Sequence, residues 1–409
     1  MIFKFFSFIG LIPLSFYTSV NNVPPMVRSK VALVRCESYD EEEIYKAVEE
    51  GIGLLGGALS FVKSGEKIVI KPNLLFGADP GRCVGPHPLV FKALAILLKD
   101  AGVTVYYGDS PGFGKCERQM QRAGLKDVGD DLGLELADFD NGRSISHKDG
   151  LLTKRFVIAN GVLDSDGLIN LSKLKTHQLT RLTGAVKNQF GCIPGMLKGE
   201  YHVKMPDPFD FSTMLVDLNM ATRPRLYIMD AVIAMEGNGP RSGDQNRLNV
   251  LLFSTDPIAL DSMACRIVDI DPEIVPTSKP GEEAGLGTYH LEDIDILGAD
   301  PDSFIDKNFK ITRKPPQSVA TGGIRGFIRN RISPRPVIDE EKCNTCGTCV
   351  KMCPVDPKSV DWHSGDKKRA PTYKYSLCIR CYCCQELCPN GAITVEETLI
   401  GGIIGALRP

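Results

Sequence analysis

Residues 343–354 read C-N-T-C-G-T-C-V-K-M-C-P, and residues 378–389 read C-I-R-C-Y-C-C-Q-E-L-C-P. Both obey C-x2-C-x2-C-x3-C-P. In runs of this kind three cysteines on one tight loop hold three irons of a cubane, and the fourth, followed by proline, ligates the other cluster. The spacing therefore assigns Cys343, Cys346, Cys349 and Cys388 to one 4Fe-4S cluster, and Cys378, Cys381, Cys384 and Cys353 to a second. Zinc sites built on C-x2-C pairs need neither the third loop cysteine nor the remote fourth ligand. Cys383 is left over, at the place where the first run has Thr348, and reads as a spectator thiol.

The stretch from about 336 to 396 resembles a two-cluster bacterial ferredoxin, with an insert, DWHSGDKKRA (361–370), between the runs. The resemblance implies a small α+β iron-sulfur domain that moves single electrons. The other five of the 14 cysteines (Cys36, Cys83, Cys116, Cys192 and Cys265) are scattered, as reduced thiols of a cytoplasmic protein would be, rather than arranged as a disulfide framework. Export is the minor alternative. Residues 1–29 hold a signal-like apolar stretch, Phe5 to Tyr17, too short for a membrane span; a start at Met26 would make it a mis-started extension.

Upstream of the cysteines, residues 307–338 contain eight basic and no acidic residues: Lys307, Lys310, Arg313, Lys314, Arg325, Arg329, Arg331 and Arg335. Punctuated by prolines, this segment reads as a solvated linker or as a basic strap for an anionic partner. Downstream, the apolar tail 397–409 is expected to pack against the rest. The ferredoxin-like domain is placed at 339–396 and a larger domain at 30–306.

In that larger domain short apolar runs alternate with amphipathic segments. Expected strands are 31–36, 67–71, 103–108, 167–172, 225–231 and 249–254; expected helices are 41–59, 88–102, 212–222 and 256–268. Nearly continuous apolar strands between helices predict an α/β fold with a mostly parallel, doubly wound sheet. With 43% hydrophobic and 24% charged residues over 409 positions, wholesale disorder and a polytopic membrane protein are excluded, and a net charge of -2 gives no reason to expect nucleic acid.

Ligands of such sheets bind at the carboxyl ends of strands. There the sequence places Lys71 and Asn73, Asp109 and Ser110, Lys175 and His177, with Lys187 and Asn188 in the glycine-rich GAVKNQFGCIPG (184–195). Lys71, Lys175 and Lys187 are candidates for neutralising an anionic substrate; Asn73, Asp109, Ser110 and Asn188 are candidates for binding it. His177 in K-L-K-T-H, or His87 between two prolines, is the candidate for proton transfer. GDSPGFG (108–114) offers a cradle for phosphate or carboxylate but matches no nucleotide fingerprint.

KPNLL (71–75), CVGPHP (83–88), GDSPG (108–112), LSKLKTH (171–177), GAVKNQFG (184–191), DA (230–231) and DPIALD (256–261) form an ordered set over about residues 30–300. That set resembles the domain of unknown function 362, often found with a ferredoxin module behind it. The resemblance implies an iron-sulfur-binding protein without an assigned general reaction. More distantly, the lysine and histidine placement is similar to that of the nickel-pincer lactate racemase superfamily.

The expected function is therefore an oxidoreductase whose two clusters relay electrons to a small anionic substrate on the α/β domain. A redox protein is the other partner the sequence allows. An electron-transfer or maturation partner that docks a client protein is the alternative, and a transferase or isomerase with structural clusters is a third reading.

Overall fold

The computed structural model describes residues 28–318, 331–398 and 400. The apolar stretch of residues 1–27, Arg325 and Arg329 of the basic linker, and nearly all of the tail 397–409 lie outside those residues.

Eleven strands belong to the large domain: β1 (Ser29–Arg35), β2 (Lys67–Pro72), β3 (Thr104–Tyr107), β4 (Glu135–Leu136), β5 (Gly142–Ser146), β6 (Arg155–Ala159), β7 (Gly167–His177), β8 (Arg181–Thr183), β9 (Leu226–Glu236), β10 (Asp244–Ser254) and β11 (Ile294–Gly298). Nine form one sheet in the order β11-β1-β10-β9-β7-β2-β3-β4, with β8 paired to β7; β5 and β6 make a separate hairpin. Five pairings are parallel: β1 with β11, β2 with β3, β2 with β7, β3 with β4 and β7 with β9. β10 runs antiparallel to both β9 and β1. The short link 237–243 permits only a hairpin there, since a parallel return needs a crossover of a dozen or more residues.

The alternation along β1 shows how the layers form. Ala32 and Val34 enter the core shared with helices Glu41–Leu54 and Pro88–Asp100, while Val31 and Leu33 enter the core with helix Pro257–Ile267. Helix Glu41–Leu54 buries Ile44, Ala47, Val48, Gly51 and Ile52, one face at helical spacing, and Asp40 caps it by accepting from the N–H groups of Glu42 and Glu43. All six expected strands and four expected helices are present.

β7 is longer than its apolar run predicts. It continues through Lys173, Lys175 and His177, all buried, where the sequence reading ends the strand at residue 172.

In the small domain β12 (Arg335–Ile338) pairs antiparallel with β15 (Ile393–Glu396), and β13 (Val360–Asp361) with β14 (Thr372–Tyr373). Each cysteine run contributes one short helix, Thr348–Met352 and Cys383–Glu386. The visible start of the basic linker is not free. Lys310 pairs with Asp244 and Glu236, and the Arg313 guanidinium donates to the carbonyl of Asp269. Among the described residues no helix is long and apolar enough to cross a membrane.

Candidate functional site

The chain returns on itself so that each cysteine run is completed by the other. Cys343, Cys346, Cys349 and Cys388 line one small cavity; Cys353, Cys378, Cys381 and Cys384 line a second. Cys383 lines neither. Hydroxyls approach the sulfurs at both sites: Thr348 at 3.3 Å from Cys346, Ser359 at 3.3 Å from Cys353, and Tyr373 donating to Cys384 at 3.2 Å. Among the described residues no three His, Cys, Asp or Glu side chains converge tightly enough for a single ion. Four thiols standing apart around a small cavity fit a multi-iron core instead.

A third, larger cavity of about 440 Å³ opens between the two domains. Its lining includes Cys353, so it shares a wall with the second cysteine site, and it shares no residue with the first. The three residues between Cys384 and Cys388 all reach the large domain. Gln385 donates to the Asn238 side chain (2.7 Å) and to the Gly239 carbonyl (3.0 Å), Glu386 lies 2.9 Å from His177, and Leu387 lines the cavity. The matching spacer of the first run supplies Lys351 and Met352 to the same lining. Because the flanking cysteines turn inward, a one-turn helix between them must present its other face to a neighbour.

Six lysines (175, 187, 198, 204, 351 and 358) and three acidic residues (Asp109, Glu200 and Glu386) line this cavity, so its field is cationic. Behind the lining is a buried network. Lys71 pairs with Asp109 at 2.7 Å and donates to the Asn188 side-chain oxygen at 3.0 Å, which also accepts from Asn73. Asp109 further accepts from the Leu74 N–H, and Lys175 donates to Asn73 and to the Val84 carbonyl. Gly191 is the close-approach point: a Cβ there would meet Asp109 Oδ1 at 1.8 Å and Lys71 Nζ at 2.8 Å. Asp261 fixes the segment carrying Lys187 and Asn188, accepting from the N–H groups of Ala185 and Val186.

The candidate residues thus separate. Asn73, Asp109, Ser110, Lys175, Lys187 and Asn188 surround one cavity, and Lys71 stands directly behind it. Yet Asn73, Asp109 and Asn188 are committed to one another and to lysines. Ser110 Oγ accepts from Lys198 (2.7 Å) and from the Gly195 N–H (2.8 Å). In the GDSPGFG segment the N–H groups of Gly108, Ser110 and Gly112 are already committed, donating to the carbonyls of Ile70, Gly191 and Leu75.

His87 lies elsewhere. It caps helix Pro88–Asp100, accepting from the Leu89 N–H, its own N–H donates to Asp230, and its ring stacks on Tyr39 at 3.9 Å. Prolines on both sides fix a helix start, which explains the local rigidity without catalysis.

His177 adjoins the cavity through Glu386. Its Nδ1 accepts from the N–H groups of Leu179 and Thr180, so the neutral ring carries its proton on Nε2, facing Glu386 off the N–H axis. Burial pushes the imidazole down to about 4. For Glu386, burial opposes ionisation, while the protonated Nε2 side of His177 and the Lys187 ammonium favour it and hold the carboxyl below its usual range. Burial likewise lowers Lys175 and Lys187, and brings Lys198 down to about 7 against the opposing pull of Asp109. His202, also in the lining, is stacked on Phe211 and lies edge-on to Phe190.

Sequence reasoning missed Lys198, Glu386 and Leu387. For the last two a signal existed: in a cysteine run the residues that are not ligands are the ones free to meet a partner.

An α/β sheet carrying a ferredoxin-like module with two four-cysteine sites defines the class: an iron-sulfur protein with an electron-transfer role. A model of a 4Fe-4S dicluster domain matches residues 342–392, and the model described as domain of unknown function (DUF362) matches residues 68–266. The chain belongs to the DUF362 family, with a C-terminal dicluster ferredoxin domain. A thylakoid-associated protein of Synechocystis sp. is 37% identical over 268 residues, 65% of this chain and 83% of that one. A ferredoxin of Methanothermococcus thermolithotrophicus is 37% identical over 62 residues, 15% of this chain and 95% of its own length. Among solved structures, the lactate racemase apoprotein from Thermoanaerobacterium thermosaccharolyticum is similar with a TM-score of 0.40 and 13% identity, over 58% of this chain and 56% of that one.

Proposed function

We propose that the chain holds two 4Fe-4S clusters, one on Cys343, Cys346, Cys349 and Cys388 and one on Cys378, Cys381, Cys384 and Cys353, and acts as an oxidoreductase on an anionic substrate in the interdomain cavity. The observation that carries this is Cys353, which borders both the second cysteine site and the cavity. Such clusters, when bound, supply and accept single electrons. The protein's own contribution is electrostatic and positional. Lysines around the cavity favour an anion, and the Lys71–Asp109–Asn188–Asn73–Lys175 network holds their frame rigid in a low-dielectric setting. Gln385, Glu386 and Leu387 fix the small domain against the cavity, so the second site keeps one orientation toward a bound molecule. Thiol-rich sites of this kind suit a reducing compartment, and the cytoplasm is our proposed location.

Anaerobic purification followed by iron and sulfide analysis and EPR tests the reading. We expect about eight irons per chain and a spin-coupled two-centre signal on reduction. Cys353→Ser is expected to alter the signal of one centre and Cys388→Ser that of the other. About four irons or fewer in folded, fully reconstituted protein removes the proposal. A protein that docks a client without turnover remains the alternative. It predicts that no small anion changes either signal, whereas a cavity shared by the chain's own two domains favours the enzyme.

A further inference from the structure

Resting on the proposal that this cavity is the working site, we infer that its ligand is an organic carboxylate with an apolar body, the carboxylate held by Lys187 and the body by Phe190, Met196, Val203 and Leu387.

Lys187 stands out by its lack of a direct polar contact. Lys175 donates to Asn73 and Val84, Lys198 to Ser110 and to the Ile193 carbonyl, and Lys358 to the Cys353 carbonyl. Lys204 pairs with Glu200, and Lys351 lies over the Phe113 ring at 4.4 Å. Among the described residues the Lys187 ammonium, half-buried in the cavity lining, has no hydrogen-bond or ion-pair partner, and the Glu386 carboxylate acts on it only through space. A partly desolvated ammonium with no direct contact is open to one, and a bound carboxylate supplies a charge-assisted hydrogen bond there.

The surroundings select the kind of anion. Phosphate is usually met by several backbone N–H groups or a helix N-terminus. Here the N–H groups of Gly108, Ser110 and Gly112 are spent on carbonyls, those of Ala185 and Val186 on Asp261, and the N-terminus of helix Leu197–Lys204 in the lining carries Glu200 in its first turn, which opposes a multiply charged anion there. One uncommitted ammonium suits one carboxylate. The rest of the lining is rich in apolar side chains, with Met196 60% and Val203 43% exposed at its open side. A volume of about 440 Å³ suits a drug-sized molecule rather than a bare ion. Cys353 and Cys383 border the space this body would fill.

The test uses the full chain with its iron-sulfur centres reconstituted anaerobically, and 2-naphthoate as probe. We expect saturable binding, about tenfold or more tighter than that of the neutral isostere 2-naphthalenemethanol. Lys187→Met is expected to weaken naphthoate by about the same factor and to leave the alcohol unchanged, while Lys310→Gln, at the start of the basic linker and outside the cavity lining, alters neither. Should Lys187→Met fail to fold, Lys187→Gln decides instead, since it removes the charge at similar length and is expected to weaken naphthoate but not the alcohol. Equal binding of acid and alcohol, insensitivity to both variants, or displacement of naphthoate by millimolar-range inorganic phosphate overturns the inference. EPR with and without naphthoate separates it from the reading it rests on. Lys187-dependent binding with both centres unperturbed keeps the carboxylate site and removes the redox role. A perturbed centre with Lys187-independent binding does the reverse.

Discussion

Two buried lysine–aspartate pairs lie on neighbouring strands of the sheet and differ in what adjoins them. Lys71–Asp109 (2.7 Å; side chains 0% and 4% exposed) and Lys173–Asp230 (2.9 Å; 1% and 0%) are indistinguishable by distance or burial. Around the second, Tyr39 donates to Asp230 and accepts from Lys173, the backbone N–H of His87 donates to Asp230, and the stacked Tyr39 and His87 rings close the group off. None of these four residues lines the interdomain cavity. Around the first, Asp109 and Asn188 form part of the cavity wall itself. Paired charges are thus equally able to hold strands together or to frame a site, and only the space beside them distinguishes the two.

Breaking both pairs gives the largest expected effects. Asp230→Ala and Asp109→Ala each strand a buried ammonium, and each is expected to cost about 3–5 kcal/mol in urea unfolding. The comparison predicts a split in a second readout. In conditions where the variants stay folded, Asp109→Ala loses 2-naphthoate binding and Asp230→Ala keeps it. Equal loss from both would mean that the cavity does not depend on its own frame in particular.

Gly191→Ala sharpens the same contrast without removing a charge. Its Cβ would force apart Lys71 and Asp109, and overpacking of this kind costs about 1–3 kcal/mol. Weakened naphthoate binding with unchanged iron content is the expected outcome, measured by titration and metal analysis. Unchanged binding would show that the Lys71–Asp109 geometry is not what orders the wall.

How far the sequence reached follows the same line. The duplicated cysteine spacing identifies both four-thiol sets because ligand geometry is local and periodic. The strands are legible where apolar residues run together, and β7 is truncated in that reading because Lys173, Lys175 and His177 look solvated until their partners are known. Those partners lie tens of residues away, as with Lys175 and Asn73 or His177 and Glu386, and no pattern in one segment reports them. Lys198 escaped notice for the same reason: its setting is made by Ser110, Ile193 and the cavity rather than by its neighbours in sequence.

Lys198 gives a smaller, pH-dependent effect. Its folded value of about 7 lies below the roughly 10.4 of a lysine in an unfolded chain. Below about pH 7 both states hold the proton and the burial penalty is present in full; between about 7 and 10.4 only the unfolded chain holds it, so stability rises with pH across that window. Lys175 and Lys187, lowered by burial as well, contribute with the same sign. Lys198→Met is therefore expected to reduce, though not abolish, the rise in urea midpoint from pH 7 to 9. An identical rise in the variant would mean that Lys198 does not titrate in that window.

The smallest effect is expected at His87, and it bears on the proton-transfer role first assigned to this residue. Asn is a better N-cap than His and can still accept from the Leu89 N–H, while the ring stack on Tyr39, a contact of the kind worth about 0.5–1.5 kcal/mol, is lost. The two changes oppose each other, so His87→Asn should shift urea stability by no more than about 1 kcal/mol and leave naphthoate binding and both EPR signals untouched. His177→Asn is the informative partner, because it removes the one side chain of β7 that meets Glu386 between two ligand cysteines. If His87→Asn perturbed the centres as His177→Asn is expected to, the sealed pair and the open one would belong to a single site, and the contrast between them would have to be abandoned.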